Sequence, residues 1–195
     1  MEKPLSILGI AGSLRKTSFN RGLLRAAQQL APPGVTIESF DLEGIPVFNQ
    51  DLDGNPPPRV TDFKARIRAA DAILIATPEY NYSIPGVLKN AIDWASRPYG
   101  DNSWDEKPVA LMGASGGIQG TSRAQYHFRQ CFVFLNMYPL NKPEVMIASA
   151  AQKFDGDGNL TDEKGKEMVS RLIAALADWT RKLKGTSVVM QSTAP

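Results

Sequence analysis

Leu5-Ser6-Ile7-Leu8-Gly9-Ile10-Ala11-Gly12-Ser13-Leu14-Arg15-Lys16-Thr17-Ser18-Phe19-Asn20 begins as an apolar run, breaks into a glycine-led turn rich in hydroxyls, and passes into helical spacing. Ile, Val and Leu concentrated in a short run are the mark of a strand covered on both faces. The same kind of run recurs at Val35 to Phe40, Ala72 to Thr77, Val109 to Gly113 and Val145 to Ala148. Between the runs lie apolar stripes of helical period: Phe19, Leu23, Leu24, Ala27, Leu30; Val60, Phe63, Ile67, Ala70; and Val87, Leu88, Ala91, Ile92, Ala95. A fourth helix is expected from about Gln119 to Leu135 and a fifth through Met168, Leu172, Leu176, Trp179 and Leu183. Strict βα alternation with right-handed crossovers predicts an α/β, doubly wound, three-layer sandwich. Five strands point to a parallel sheet in the flavodoxin-like order 2-1-3-4-5. Ligands in that architecture bind beyond the carboxyl ends of the strands, so the loops after strands one, three and four are the ones to search.

The chain has 195 residues, a length that suits one domain. Residues 1–185 are read as that domain and residues 186–195 as a polar tail, frayed unless a partner subunit holds it. A net charge of +2, with 43% hydrophobic and 22% charged residues, is close to the globular norm and argues against a nucleic-acid partner. One cysteine, Cys131, and one histidine, His127, leave no disulfide within the chain and no Cys/His metal cluster, which suits a reduced, cytoplasmic setting. The apolar runs are too short to cross a membrane. The first, behind Lys3, is interrupted by Ser6, Gly9 and Gly12 and reads as a strand rather than a secretory core.

The turn after the first run delivers Ser13, Arg15, Thr17, Ser18 and Asn20 to the start of a helix. Unpaired N–H groups and the positive end of the helix dipole attract an anion there, hydroxyls donate to it, and Arg15 adds a charge-assisted bond. A plainer reading has Ser18 simply capping the helix. The spacing is neither that of a P-loop nor that of a dinucleotide fingerprint. A tyrosine-phosphatase loop would need a cysteine nucleophile here, and Cys131 lies far along the chain.

The third run leads into Pro78-Glu79-Tyr80-Asn81-Tyr82-Ser83-Ile84-Pro85-Gly86 and a helix with Leu88-Lys89-Asn90-Ala91-Ile92-Asp93-Trp94. Gly-Ser-Leu-Arg-x-x-Ser-x-Asn after strand one, paired with Pro-Glu-Tyr-Asn after strand three, resembles the NAD(P)H-dependent FMN reductase family, which includes quinone, chromate and azo-dye reductases. The likeness runs from about Leu5 to Ala148. It implies that Ser13, Arg15, Ser18, Phe19 and Asn20 hold the phosphate end of FMN and that Pro78, Glu79, Tyr80 and Asn81 border its ring. It also implies that the loop containing Ser115, Gly116 and Gly117 is the third flavin loop, where glycines let backbone N–H groups approach a flat heterocycle. The plainer alternatives are Tyr80 and Tyr82 as surface tyrosines, Glu79 as a cap on the helix that follows, and Gly116-Gly117 as a tight turn; the place of the loops beside the switch point favours the flavin reading.

The resemblance implies hydride transfer from NADPH or NADH to FMN, then electron delivery to a quinone, azo compound, metal oxyanion or free flavin, with no obligate side-chain acid or base. The rival is a flavodoxin-type electron carrier, which is usually acidic where this chain is +2. No motif selects NADPH over NADH, although Arg97 is one cation available to a 2′-phosphate. Asp155-Gly156-Asp157-Gly158-Asn159 lacks the later ligands of a calcium loop and reads as a turn. His127 reads as a surface or interface residue and Cys131 as a buried small hydrophobe. The density of Tyr80, Tyr82, Ile84, Trp94 and Tyr99 predicts a homodimer. The family likeness implies the same, with homotetramers in some members; Arg123, Tyr126 and Glu144 are candidates for that second contact.

Overall fold

The computed structural model describes residues 3–192, with side chains to residue 185. Its elements are β1 (Leu5–Ala11), α1 (Phe19–Gln29), β2 (Val35–Phe40), α2 (Pro58–Ala69), β3 (Ala72–Ala76), α3 (Gly86–Ala95), β4 (Pro108–Ala114), α4 (Ser122–Phe134), β5 (Tyr138–Pro139), β6 (Val145–Ile147) and α5 (Glu163–Ser192). All strand pairings are parallel and the order is β2-β1-β3-β4, with β5 and β6 both on the far edge of β4. This is the flavodoxin-like arrangement that the alternation predicts.

The side-chain period of two builds a core on each face. Ile7, Leu74, Met112 and Ala114 face α1 and α5, whereas Leu8, Ile10, Ile73, Ile75 and Leu111 face the side packed by α2, α3 and α4. Every residue of β3 and β4 is buried, which is why these runs carry no polar alternation, while β2 at the edge alternates. The order reverses between β1 and β3, and there the strand ends lie level, with Ala11 opposite Ala76. The loops that follow are tied on: Gly12 N donates to Ala76 O at 2.8 Å and Thr77 N to Met112 O at 2.9 Å.

The fifth strand expected at Val145 to Ala148 is β6 (Val145–Ile147), and an additional two-residue strand, β5, precedes it on the same edge. β5 pairs with Pro108 and Val109, β6 with Met112 to Ala114, and the stretch between them contains Pro143 after Pro139. Proline has no N–H to give a ladder, so one continuous edge strand cannot form, and two residues are too few to show a pattern. α4 begins at Ser122, later than expected, because Gly120 sits at φ +60 and cannot belong to a right-handed helix. Trp94, expected at a subunit contact, is fully buried instead: its Nε1 donates to Pro46 O at 2.8 Å and Phe48 meets it edge-on at 5.0 Å. Cys131 is half-buried rather than buried, and burial pushes its thiol pKa up, so the thiol is an inert proton carrier at neutral pH. The 155–159 segment is the expected turn: Asp155 Oδ1 accepts from Asp157 N and Asn159 N. The tail at 186–195 falls on residues whose side chains lie outside the description.

β4 and the segment before α4 cross so closely at Gly113 that an added Cβ would fall on Thr121 Oγ1 and the Thr77 carbonyl, neither of which can yield without moving backbone. Gly113→Ala is therefore expected to lower stability by about 1–3 kcal/mol, the cost of overpacking a tight core, with a fall in the urea midpoint at unchanged slope.

Candidate functional site

Three loops leave the carboxyl ends of β1, β3 and β4 side by side. They enclose a cleft of about 240 Å³ lined by Arg15, Ser18, Phe19, Asn20, Pro78, Glu79, Tyr80, Ala114, Ser115 and Gly116. A more open cleft of about 570 Å³ adjoins it, lined by Glu79, Asn81, Tyr82, Ser115, Gly117, Ile118, Gln119, Gly120 and Arg123. Of the sequence-derived candidates, only Ser13 lines neither; it is buried behind the first loop, its Oγ accepting from Arg15 N at 3.3 Å.

Ser18 caps α1, its Oγ accepting from Asn20 N at 3.2 Å, so the plain capping reading holds. That bond uses an oxygen lone pair and leaves the hydroxyl proton to donate, so a cap and an anion contact are compatible. The first turn of α1 contains no acidic residue, and Arg15 has no carboxylate partner among the described residues; its guanidinium lies 5.4 Å from the centre of the Phe19 ring. An uncompensated helix N-terminus with an unpaired cation beside it is an anion site by charge alone. Phe19 itself is half-buried against Phe154, ring centres 5.0 Å apart, and forms an apolar wall.

Asn20 does something the sequence reading did not foresee. Its carboxamide is 2% exposed, Nδ2 donating to Ala114 O and Oδ1 accepting from Ala114 N, both at 2.9 Å. Rather than presenting its amide to a phosphate, it bolts the first loop to the third.

Glu79 likewise faces inward. Its Oε1 accepts from Arg123 Nη1 at 3.0 Å and its Oε2 from Ala124 N at 3.1 Å. It therefore caps a helix, as one reading had it, but the helix is α4 and not the one that follows in sequence. Arg123 also lies 3.9 Å from the centre of the Tyr82 ring. The backbone from Tyr80 to Ser83 closes a tight turn, with Tyr80 N donating to Ser83 O at 3.2 Å and Ser83 N to Tyr80 O at 2.9 Å. Its central residues Asn81 and Tyr82 have φ of 49 and 65. That conformation suits asparagine and strains tyrosine, and strain of this kind collects at functional sites. Tyr80 and Tyr82 are 54% and 68% exposed, as the surface reading allows, yet both line clefts.

In the third loop Ser115 Oγ accepts from Gly117 N at 3.3 Å, and Ser115 N donates to Ile147 O at 3.0 Å. A Cβ added at Gly116 would meet no protein atom within 4 Å, so nothing in the protein itself demands glycine there. What the small residue leaves open is space beside the cleft. A flat ring system with a phosphate tail fits the donor set: cation, hydroxyl and helix end on one side, proline, tyrosine and bare backbone on the other. Arg97 is not part of it. Its Nε donates to Asp53 Oδ2 at 2.8 Å, its guanidinium lies 3.8 Å from the Tyr99 ring centre, and Asp53 holds its pKa up.

Residues 5–152 match the family model described as NADPH-dependent FMN reductase. The chain is similar to an NAD(P)H-dependent FMN reductase of Pseudomonas aeruginosa, 53% identical over 95% of this chain and 100% of that protein. It is similar also to an NADPH:quinone oxidoreductase of Arabidopsis thaliana, 47% identical over 94% and 96% of the two chains. Among solved structures it resembles FerB, a flavoenzyme NAD(P)H:(acceptor) oxidoreductase from Paracoccus denitrificans, with a TM-score of 0.83 and 38% identity over 91% of this chain and 98% of the other. The chain thus belongs to the NADPH-dependent FMN reductase family, as an NAD(P)H-dependent flavoenzyme with FMN as its cofactor.

Proposed function

We propose that the protein is a quinone reductase whose FMN sits in the cleft shared by the three loops, with nicotinamide and quinone using the adjoining open cleft in turn. The convergence of ten lining residues from three separate loops on one cleft, next to the α1 N-terminus, whose first turn holds no acidic residue and beside which Arg15 has no carboxylate partner among the described residues, carries this reading. When bound, FMN supplies the hydride chemistry, accepting from a reduced nicotinamide and passing electrons to a second substrate. The chain's own work is to bind and orient. Arg15 and the Ser18 hydroxyl face the phosphate, Phe19 and Pro78 wall the ring, and Gly116 presents bare backbone. Asn20 and Glu79 hold the loops and α4 in register, so that a reacting pair meets in fixed geometry. A single open cleft that serves both substrates favours ping-pong kinetics. The quinone assignment draws on the Arabidopsis relative; azo compounds, metal oxyanions and free flavin are the other acceptors to compare. Among the described residues no helix is long and apolar enough to cross a membrane. With a single cysteine in the chain, a reducing cytoplasm suits it.

We place a homodimer in the same proposal, on different residues from the sequence reading. With Trp94 in the core, the exposed apolar residues offered to a partner are Tyr80, Tyr82 and Tyr99 together with Tyr126, Val133 and Phe134 on α4, the last two over 80% exposed. Light scattering of the FMN-loaded protein is expected to give twice the 21.3 kDa chain mass, or four times it if dimers pair through Arg123, Tyr126 and Glu144. A mass of one chain, unchanged on concentration, contradicts the dimer.

Anaerobic stopped-flow mixing of the FMN-loaded protein with NADPH, and separately NADH, is expected to bleach the flavin on the timescale of turnover, with 1,4-benzoquinone restoring its colour. A flavin that reacts with neither nucleotide sinks the proposal and favours an electron carrier. Arg15→Ala is expected to weaken FMN binding about 10- to 150-fold, the worth of a charge-assisted bond, while leaving riboflavin binding nearly unchanged. Asn20→Ala should act differently, lowering stability by about 1–3 kcal/mol through two orphaned backbone groups and weakening both flavins alike. Titration of the flavin-free protein with FMN and riboflavin distinguishes the two roles.

A further inference from the structure

The Tyr80–Ser83 turn meets α4 at three places. Glu79, just before it, bonds Arg123 and Ala124 N; Tyr82 stacks on Arg123; and Ser83 Oγ lies 2.9 Å from His127 Nδ1. Arg123 and His127 are one helical turn apart, so their side chains lie on the same face of α4. The turn is strained at Asn81 and Tyr82, and both residues line the open cleft. A strained turn persists only where its surroundings hold it. Of its three attachments, one runs through the only histidine in the chain.

We propose that His127 is a positioning residue for the electron acceptor. Its hydrogen bond to Ser83 holds the Tyr80–Ser83 turn against the open cleft. The argument rests on the reading above that the acceptor enters this cleft.

Ser83 Oγ and His127 Nδ1 share one hydrogen bond whichever of them donates, and together with the Glu79 and Tyr82 contacts to Arg123 it completes the attachment of the turn to α4.

Two measurements test this. In NMR spectra of the protein with and without FMN, the Asn81, Tyr82 and Ser83 amide resonances should move in Ser83→Ala and His127→Ala and stay near their wild-type positions in His127→Gln, which keeps a hydrogen-bonding amide. In turnover of the FMN-loaded enzyme with NADPH, Ser83→Ala and His127→Ala should raise the KM for 1,4-benzoquinone about 3- to 10-fold, the range one net hydrogen bond supplies, with the change falling on the quinone step rather than on the anaerobic rate of flavin reduction, and His127→Gln should restore it. Turn amides unmoved in Ser83→Ala and His127→Ala overturn the clamp even if the flavin is inert to NADPH. An unchanged KM for the quinone in both variants, or an effect of equal size on flavin reduction, overturns the acceptor role.

Discussion

Two hydrogen bonds between the Asn20 carboxamide and the backbone of Ala114 hold the site together. Strand ends in a parallel sheet are level by register, but the loops beyond them are not bound to each other by any ladder. Asn20 supplies the missing bond, reaching from the first turn of α1 across β3 to the end of β4. Because it is buried and bonded at both amide atoms, its removal would leave a backbone N–H and C=O without partners, a cost that water cannot readily meet. The first and third loops therefore form one wall rather than two independent ones.

The middle loop is held by the opposite logic, through charge. Glu79 carries the carboxylate of a salt bridge whose side chain is only 8% exposed, and it takes the place of a cap at the start of α4. An anion at a helix N-terminus is favoured by the dipole, and here it also pairs with Arg123. The contrast with α1 is functional. The N-terminus of α4 is filled by the protein's own carboxylate and that of α1 is left open with Arg15 unpaired. α4 has a carboxylate at its N-terminus and α1 has only the Ser18 hydroxyl as a cap, with Arg15 beside it, which is the difference that the proposed phosphate position rests on. The strained Tyr80–Ser83 turn sits between the two, secured to α4 on the side away from the open helix.

Much of this was legible in the sequence. The buried runs at β1, β3 and β4 and the stripes of the helices set the sheet order, because strands covered on both faces leave few alternatives to a doubly wound fold. The short β5 was not legible, since two residues have no periodicity to detect. Trp94 was misplaced because an aromatic on a helix says nothing about a loop elsewhere, and it is the Pro46–Phe48 segment that covers it. The site motifs named three loops that the fold brings together at one sheet edge, but not the division of labour within them. Asn20 and Glu79 look in sequence like ligand groups and prove to be braces, because their partners, Ala114 and Arg123, lie 94 and 44 residues away. Arg123 entered the sequence reading only as a candidate subunit contact, and its place beside Tyr82 needed the fold.

The central claim is that the three loops make one flavin site with its phosphate end at the start of α1. A crystal structure of the FMN complex tests it most directly. The account predicts the phosphate within hydrogen-bond reach of Arg15 and Ser18, the ring between Pro78–Tyr80 and Gly116, and the Asn20–Ala114 bonds intact. A phosphate lodged elsewhere, such as the separate cleft lined by Lys16, Arg21 and Arg25 on the far side of the first loop, or Asn20 released from Ala114 to bind it, would contradict the account.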